Sequence, residues 1–168
     1  MIQSIAFATN DIDKQVELLM EAGYSRWVRD RIETAVYPKP DDVRSNPAEI
    51  STVRIACNYD ILDGVEYEIV QHVSGFNFLK AYYREEGDIA YVSHQVDSHS
   101  EGADLLGKFG AAELIQESWT LDHANEKIPD NCSYLHRYYV CERFPQVLKL
   151  YMRVERDEAL EHVRPEES

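Results

Sequence analysis

The chain is one unit written twice. When "SIAFATNDIDKQVELLMEAGY" from Ser4 is set above "YVSHQVDSHSEGADLLGKFGA" from Tyr91, a single shift of 87 positions also pairs Leu19 with Leu106 and Gly23 with Gly110. Each copy runs from an alternating strand into an amphipathic helix that closes on glycine. Two such halves can curve their sheets around a shared hollow, and a hollow between repeats is a natural place for small-molecule chemistry.

Length and charge narrow the function classes. With 168 residues, 44% of them hydrophobic, the chain can bury a real core as one unit or two fused halves. Its 31 acidic against 17 basic residues give a formal charge of −14, with no basic stripe. Such a surface repels nucleic-acid backbones and anionic membranes, so neither is an expected partner. The start, "MIQSIAFATN", lacks the basic flank and apolar run of a signal peptide, and a cytoplasmic location is expected. Cys57, Cys132 and Cys141 have no zinc-like spacing, and their odd number argues against a disulfide framework, which leaves buried thiols.

The alternation of residues 2–9 separates Ile5 and Phe7 from Ser4, Ala6 and Ala8. Asn10 or Asp11 caps a helix whose stripe of Ile12, Val16, Leu19 and Met20 should pack under Ile5 and Phe7, and Gly23 ends it. Residues 24–37 suggest one or two short strands, and "PKPDDVRSNPAE" reads as a surface loop. Strands follow over 52–59 and 65–71, and then a connector, "FNFLKAYYREEG", with aromatic anchors and a helical turn. The second copy gives a strand over 89–96, a helix around 102–109 that Gly102 weakens by about 1 kcal/mol relative to alanine, and strands near 114–119, 133–141 and 147–154. The expected organisation is α+β: a first βαβββ module over 1–75, a connector over 76–87, a second module over 88–154 and a charged tail over 155–168. The modules form a curved mixed sheet around a common cavity, with helices on its outer face.

Two βαβββ units, "EEGDIAY" before the second copy, and the strand phrases "EYEIVQHVSG" and "LKLYMRV" together resemble the vicinal oxygen chelate superfamily, which includes glyoxalase I, bleomycin-resistance proteins, methylmalonyl-CoA epimerase and extradiol dioxygenases. The resemblance covers residues 2–154. Within it, "SWTLDHANEKI", "YLHRYYV" and "LKLYMRV" are similar to a glyoxalase-like subgroup with a Thr-x-x-His-x-Asn phrase. Dimerisation is common in the superfamily, so a homodimer is what the resemblance implies.

The resemblance also implies a divalent metal held at the first and last strand of each unit, usually by His or Glu. Register carries those four positions onto Ser4, Glu68, Tyr91 and Lys149. Only Glu68 is an ordinary ligand. A serine hydroxyl grips first-row metals poorly, and a protonated lysine repels them. The expected replacement is a Glu68–Lys149 ion pair with Tyr91 hydrogen-bonded to it. As an acid/base cluster it would use a lysine whose pKa is lowered toward neutrality; as an anion anchor it would use the charge; as a structural pair it would only replace the lost metal.

Of the six histidines, His94 falls on the helix-facing side of its strand, while His72, His99 and His162 sit where polar residues are ordinary. His136 alternates with Tyr134 and Tyr138 on one strand face, and His123 lies in the Thr120-x-x-His123-x-Asn125 phrase. Two functional readings result. In the first, a metal-independent protein binds an organic small molecule, with Lys149, Glu68 and Tyr91 as the reactive cluster and Thr120, His123, Asn125, His136, Tyr138 and Tyr151 as ligand contacts. In the second, a lyase, epimerase or dioxygenase-type enzyme holds a divalent metal through the non-standard set Glu68, His123 and His136. An interaction module using the acidic surface is a third class.

Overall fold

The structure is a computed structural model and describes residues 1–37, 49–82, 86–120, 132–155 and 157–158. Its elements are β1 (Ser4–Ala8), α1 (Ile12–Glu21), β2 (Val28–Tyr37), β3 (Glu49–Leu62), β4 (Val65–Ser74), α2 (Leu79–Tyr82), β5 (Ile89–Gln95), α3 (His99–Gly107), β6 (Ala112–Thr120), β7 (Cys132–Cys141) and β8 (Phe144–Glu155). The expected α+β class with a mixed sheet is observed. The curvature goes further than expected, because the strands close into a barrel in the order β1-β4-β3-β2-β6-β7-β8-β5.

Two antiparallel seams join the halves. At one, β1 pairs with β5 through Ser4↔Ser93 and Ala6↔Tyr91; at the other, β2 pairs with β6 through Thr34↔Thr120 and Tyr37↔Glu117. Within each half the first strand runs parallel to the last, β1 with β4 and β5 with β8. Residues 28–37 form one strand rather than two short ones, and β3 begins at Glu49, inside the segment read as loop.

Alternation then decides what each wall shows inside and out. On β4, Val70 belongs to the interior cluster with Ala6, Val53, Tyr91 and Tyr138, whereas Tyr67 and Ile69 pack outside against α1. Asp11 is the N-cap, its side chain accepting from the Lys14 amide at 3.1 Å. The helix stripe seats through Ile12 and Val16 on Ala56 and Ile69 of β3 and β4, not under β1; Phe7 stacks instead on Tyr67 at 4.7 Å, and Met20 is exposed. On the other side of the barrel, Leu105 and Leu106 of α3 cover Leu148 and Leu150. At Gly102 a Cβ would meet the Leu150 side chain at 3.4 Å, an ordinary contact. His94, on the same strand face as Val92 and Val96, is buried outside the barrel interior, as its alternation requires. No helix among the described residues is long and apolar enough to cross a membrane.

Candidate functional site

The barrel interior gathers the chemistry. Ala6 is in register with Glu68 on one side and with Tyr91 on the other, and its small side chain leaves the phenol free to reach across it. The Tyr91 hydroxyl donates to Glu68 Oε2 at 2.6 Å. Ser93 pairs with both Ser4 and Lys149, and the Ser4 and Ser93 hydroxyls hydrogen-bond to each other. All four positions inherited from the expected metal corners, Ser4, Glu68, Tyr91 and Lys149, are therefore buried on one interior.

Glu68 and Lys149 do not form the expected contact ion pair. Tyr91 stands between their charges, with its hydroxyl toward Glu68 and its ring face toward Lys149, whose Nζ lies 4.6 Å from the ring centroid. The same ammonium lies 5.5 Å from the Tyr151 ring centroid. These cation–π contacts are its close partners; no hydrogen-bond acceptor or carboxylate reaches it among the described residues. Burial works against its charge and the Glu68 and Glu66 carboxyls favour it, with Lys149 held above the ordinary lysine value. The lowered pKa needed for acid/base work is thus overturned, and the charge is retained.

Glu66 shares the inner face of β4 with Glu68, a pairing visible in the alternation of "VEYEIV" but missed in the site reading. Burial and the Glu68 charge push its carboxyl up and do the same to the Cys57 thiol, while burial and the Glu66 charge push the Tyr59 phenol up to about 12. Cys57 is consequently a protonated, inert thiol. Tyr91 and Tyr138 are raised chiefly by burial, so both remain hydrogen-bond donors.

On β7, Tyr138 lies opposite Lys149 and His136 opposite Tyr151. His136 stacks on Tyr151, the centroids 6.0 Å apart, and its Nε2 is 2.5 Å from the Thr120 hydroxyl. Burial, and then the Lys149 charge, hold this imidazole well below its ordinary pKa, so it is neutral. Its Nδ1 is buried without a hydrogen-bond partner. The structure therefore brings Thr120, His136, Tyr138 and Tyr151 around the Lys149 end of the site. His123 and Asn125 lie outside the described residues, as does His162.

The connector supplies a residue that the site reading did not single out. Phe78 is 2% exposed and enters the interior, its ring 4.5 Å from Tyr138 and 6.4 Å from Tyr91. Buried Gln116 pins it by accepting from the Phe78 amide at 2.8 Å while donating to Ser118 at 2.9 Å. With this plug seated, the hollow beside Lys149 and His136 holds only about 60 Å³, below the roughly 300 Å³ of an ordinary small-molecule pocket. A larger hollow of about 160 Å³ lies outside the barrel, between α3 and the β7–β8 wall. Its cation, Arg137, is already committed to Glu117 at 2.9 Å and to His99 at 3.1 Å.

Among the described residues, the donor set does not fit a divalent ion. Ser4 is tied to Ser93, Tyr91 stays protonated, Lys149 is cationic, and among the described residues no three His, Cys, Asp or Glu converge on one point. In the non-standard set, Glu68 is engaged by Tyr91 and His136 by Thr120.

No protein-family model matches the chain, and no curated protein matches it. The chain is similar to several solved structures. A glyoxalase I mutant from Zea mays is 15% identical over 90% of this chain and 42% of its own, with a TM-score of 0.43. A 4-hydroxymandelate synthase mutant from Streptomyces coelicolor is 10% identical over 98% and 55%, with a TM-score of 0.47. A glyoxalase family protein from Bacillus cereus is 14% identical over 90% and 93%, with a TM-score of 0.28. The chain spans about half the length of the first two. At these values the likenesses bear on no individual residue.

Proposed function

We propose that this glyoxalase-like chain is a metal-independent binding protein, of the bleomycin-resistance kind, that takes an organic small molecule into its barrel beside Glu68, Tyr91, His136, Tyr138, Lys149 and Tyr151. The observation that carries this reading is the buried ammonium of Lys149 at one of the four corners where a metal ligand would stand. A cation brought there meets a like charge and only the Glu68 and Glu66 carboxyls of one strand, whereas an organic ligand meets protonated donors and aromatic faces. A ligand larger than the present hollow enters by displacing Phe78.

Elemental analysis tests this reading. The chain is purified after growth with added Ni, Zn, Fe, Co and Mn, and each metal is counted per protein molecule. Substoichiometric metal is expected. One tightly held ion per chain would overturn the reading in favour of a metal-dependent lyase, epimerase or dioxygenase.

A further inference from the structure

We infer that the hollow beneath Phe78 receives the carboxylate of a small organic acid, with Lys149 Nζ and His136 Nδ1 as its two donors. This rests on the binding reading above and narrows it to a ligand class. The two atoms belong to the residues that line the same hollow of about 60 Å³. Nδ1 is a buried ring nitrogen with no hydrogen-bond partner, and the ammonium has three N–H donors whose close neighbours among the described residues are the Tyr91 and Tyr151 rings.

Adjacent strands present both groups. His136 pairs with Tyr151 and Tyr138 with Lys149, so the imidazole and the ammonium are diagonal neighbours on one inner face. The neutral imidazole takes either tautomer. When the Thr120 hydroxyl donates to Nε2, the proton sits on Nδ1, and an anion beside Lys149 selects that form. One carboxylate oxygen then accepts from Nζ and the other from Nδ1–H. The acidic groups of the interior do not already serve as this acceptor: Glu68 is engaged by the Tyr91 hydroxyl, and Glu66 faces Cys57 and Tyr59. The hollow exceeds the roughly 10–15 Å³ that one water needs, yet it is too small for a large molecule, which limits the unaltered barrel to short acids.

The test is an NMR titration of the full chain with sodium acetate and propionate, and separately with acetamide and propionamide, at ionic strength fixed by sodium chloride. Both acids are expected to give saturable shifts at 136–138 and 149–151, with the amides bound at least about tenfold more weakly. Lys149→Met should abolish the acid response and His136→Gln should weaken it. If Lys149→Met does not fold, the acid-to-amide ratio of the unaltered chain decides alone. Equal affinity for acid and amide overturns the carboxylate assignment and leaves the binding reading standing. No saturable response to either acid also overturns the assignment. The binding reading itself falls if, in addition, a Phe78→Ala barrel binds neither the amides nor phenol.

Discussion

Replacing Phe78 with alanine tests whether the connector fills the barrel in solution. The ring is 2% exposed and packs in one cluster with Val53, Val70, Tyr91 and Tyr138. Deleting a buried phenylalanine costs about 3–5 kcal/mol, within which an aromatic pair such as Phe78–Tyr138 at 4.5 Å accounts for about 0.5–1.5 kcal/mol. The upper part of that range applies where the surroundings cannot collapse, and here the walls are hydrogen-bonded strands of a closed barrel. A loss of about 4 kcal/mol in a chain of this length lowers Tm by about 8–16 °C. Urea unfolding followed by circular dichroism and by the fluorescence of Trp27 and Trp119 measures it. Leu18→Ala, at a residue 50% exposed, is the control and should stay within about 0.5 kcal/mol. A Phe78→Ala loss below about 1 kcal/mol would show that the ring does not occupy the interior, and the estimate of a mostly filled hollow would fall with it.

Gly75, at the head of the connector, has φ +78°, and a Cβ there would stand 2.1 Å from the Ile50 carbonyl oxygen and 2.8 Å from Ser51 Cα. Gly75→Ala should therefore cost more than the ordinary positive-φ penalty, about 3 kcal/mol by urea midpoint, and a loss under about 1 kcal/mol would refute the close approach. His136 titrates well below its ordinary value of 6.5 in the folded chain. Below that pH the unfolded chain binds the proton and the folded chain does not, so this group's contribution falls as pH falls. Glu66, raised in the folded chain, acts with the opposite sign. The His136 part is isolated by difference: between about pH 7.5 and 5.5, wild type should lose more stability than His136→Gln, and equal slopes would show that the imidazole is not buried neutral.

The parts of the site legible in the sequence are those governed by period two. The resemblance carries Glu68, Tyr91 and Lys149 onto inward positions, and alternation groups His136 with Tyr138, because a strand commits every second residue to the same side. Alternation also places His94 outside. What alternation does not carry is reach. Whether Glu68 touches Lys149 depends on the tyrosine between them, and Tyr91 fits there because its register partner on β1 is the small Ala6. The direction of the Lys149 shift is likewise a balance of burial against Glu68 and Glu66, which come from another strand. Phe78 escaped because a single aromatic residue in a connector has no periodic neighbours to fix its direction. The β2–β6 seam escaped because its pairing joins Thr34 to Thr120 and no local pattern encodes a partner that distant.

Plug and ammonium reinforce each other. A metal corner works by offering electron pairs to a cation and leaving open positions for water or substrate oxygens. Here the inner groups beside the hollow include several proton donors, the Lys149 ammonium, the raised phenols of Tyr91 and Tyr138, and His136 once its tautomer is chosen, next to the side-chain oxygens of Asn77, Gln116 and Ser118. Phe78 removes much of the water that would otherwise solvate the charge, which makes the missing acceptor more costly and any acceptor that arrives more effective. On the carboxylate assignment proposed above, an entering group is selected for being small and for bringing electron pairs to Lys149 and His136. The acid-to-amide ratio measures the second requirement and Phe78→Ala relaxes the first, so the two requirements are separable by experiment.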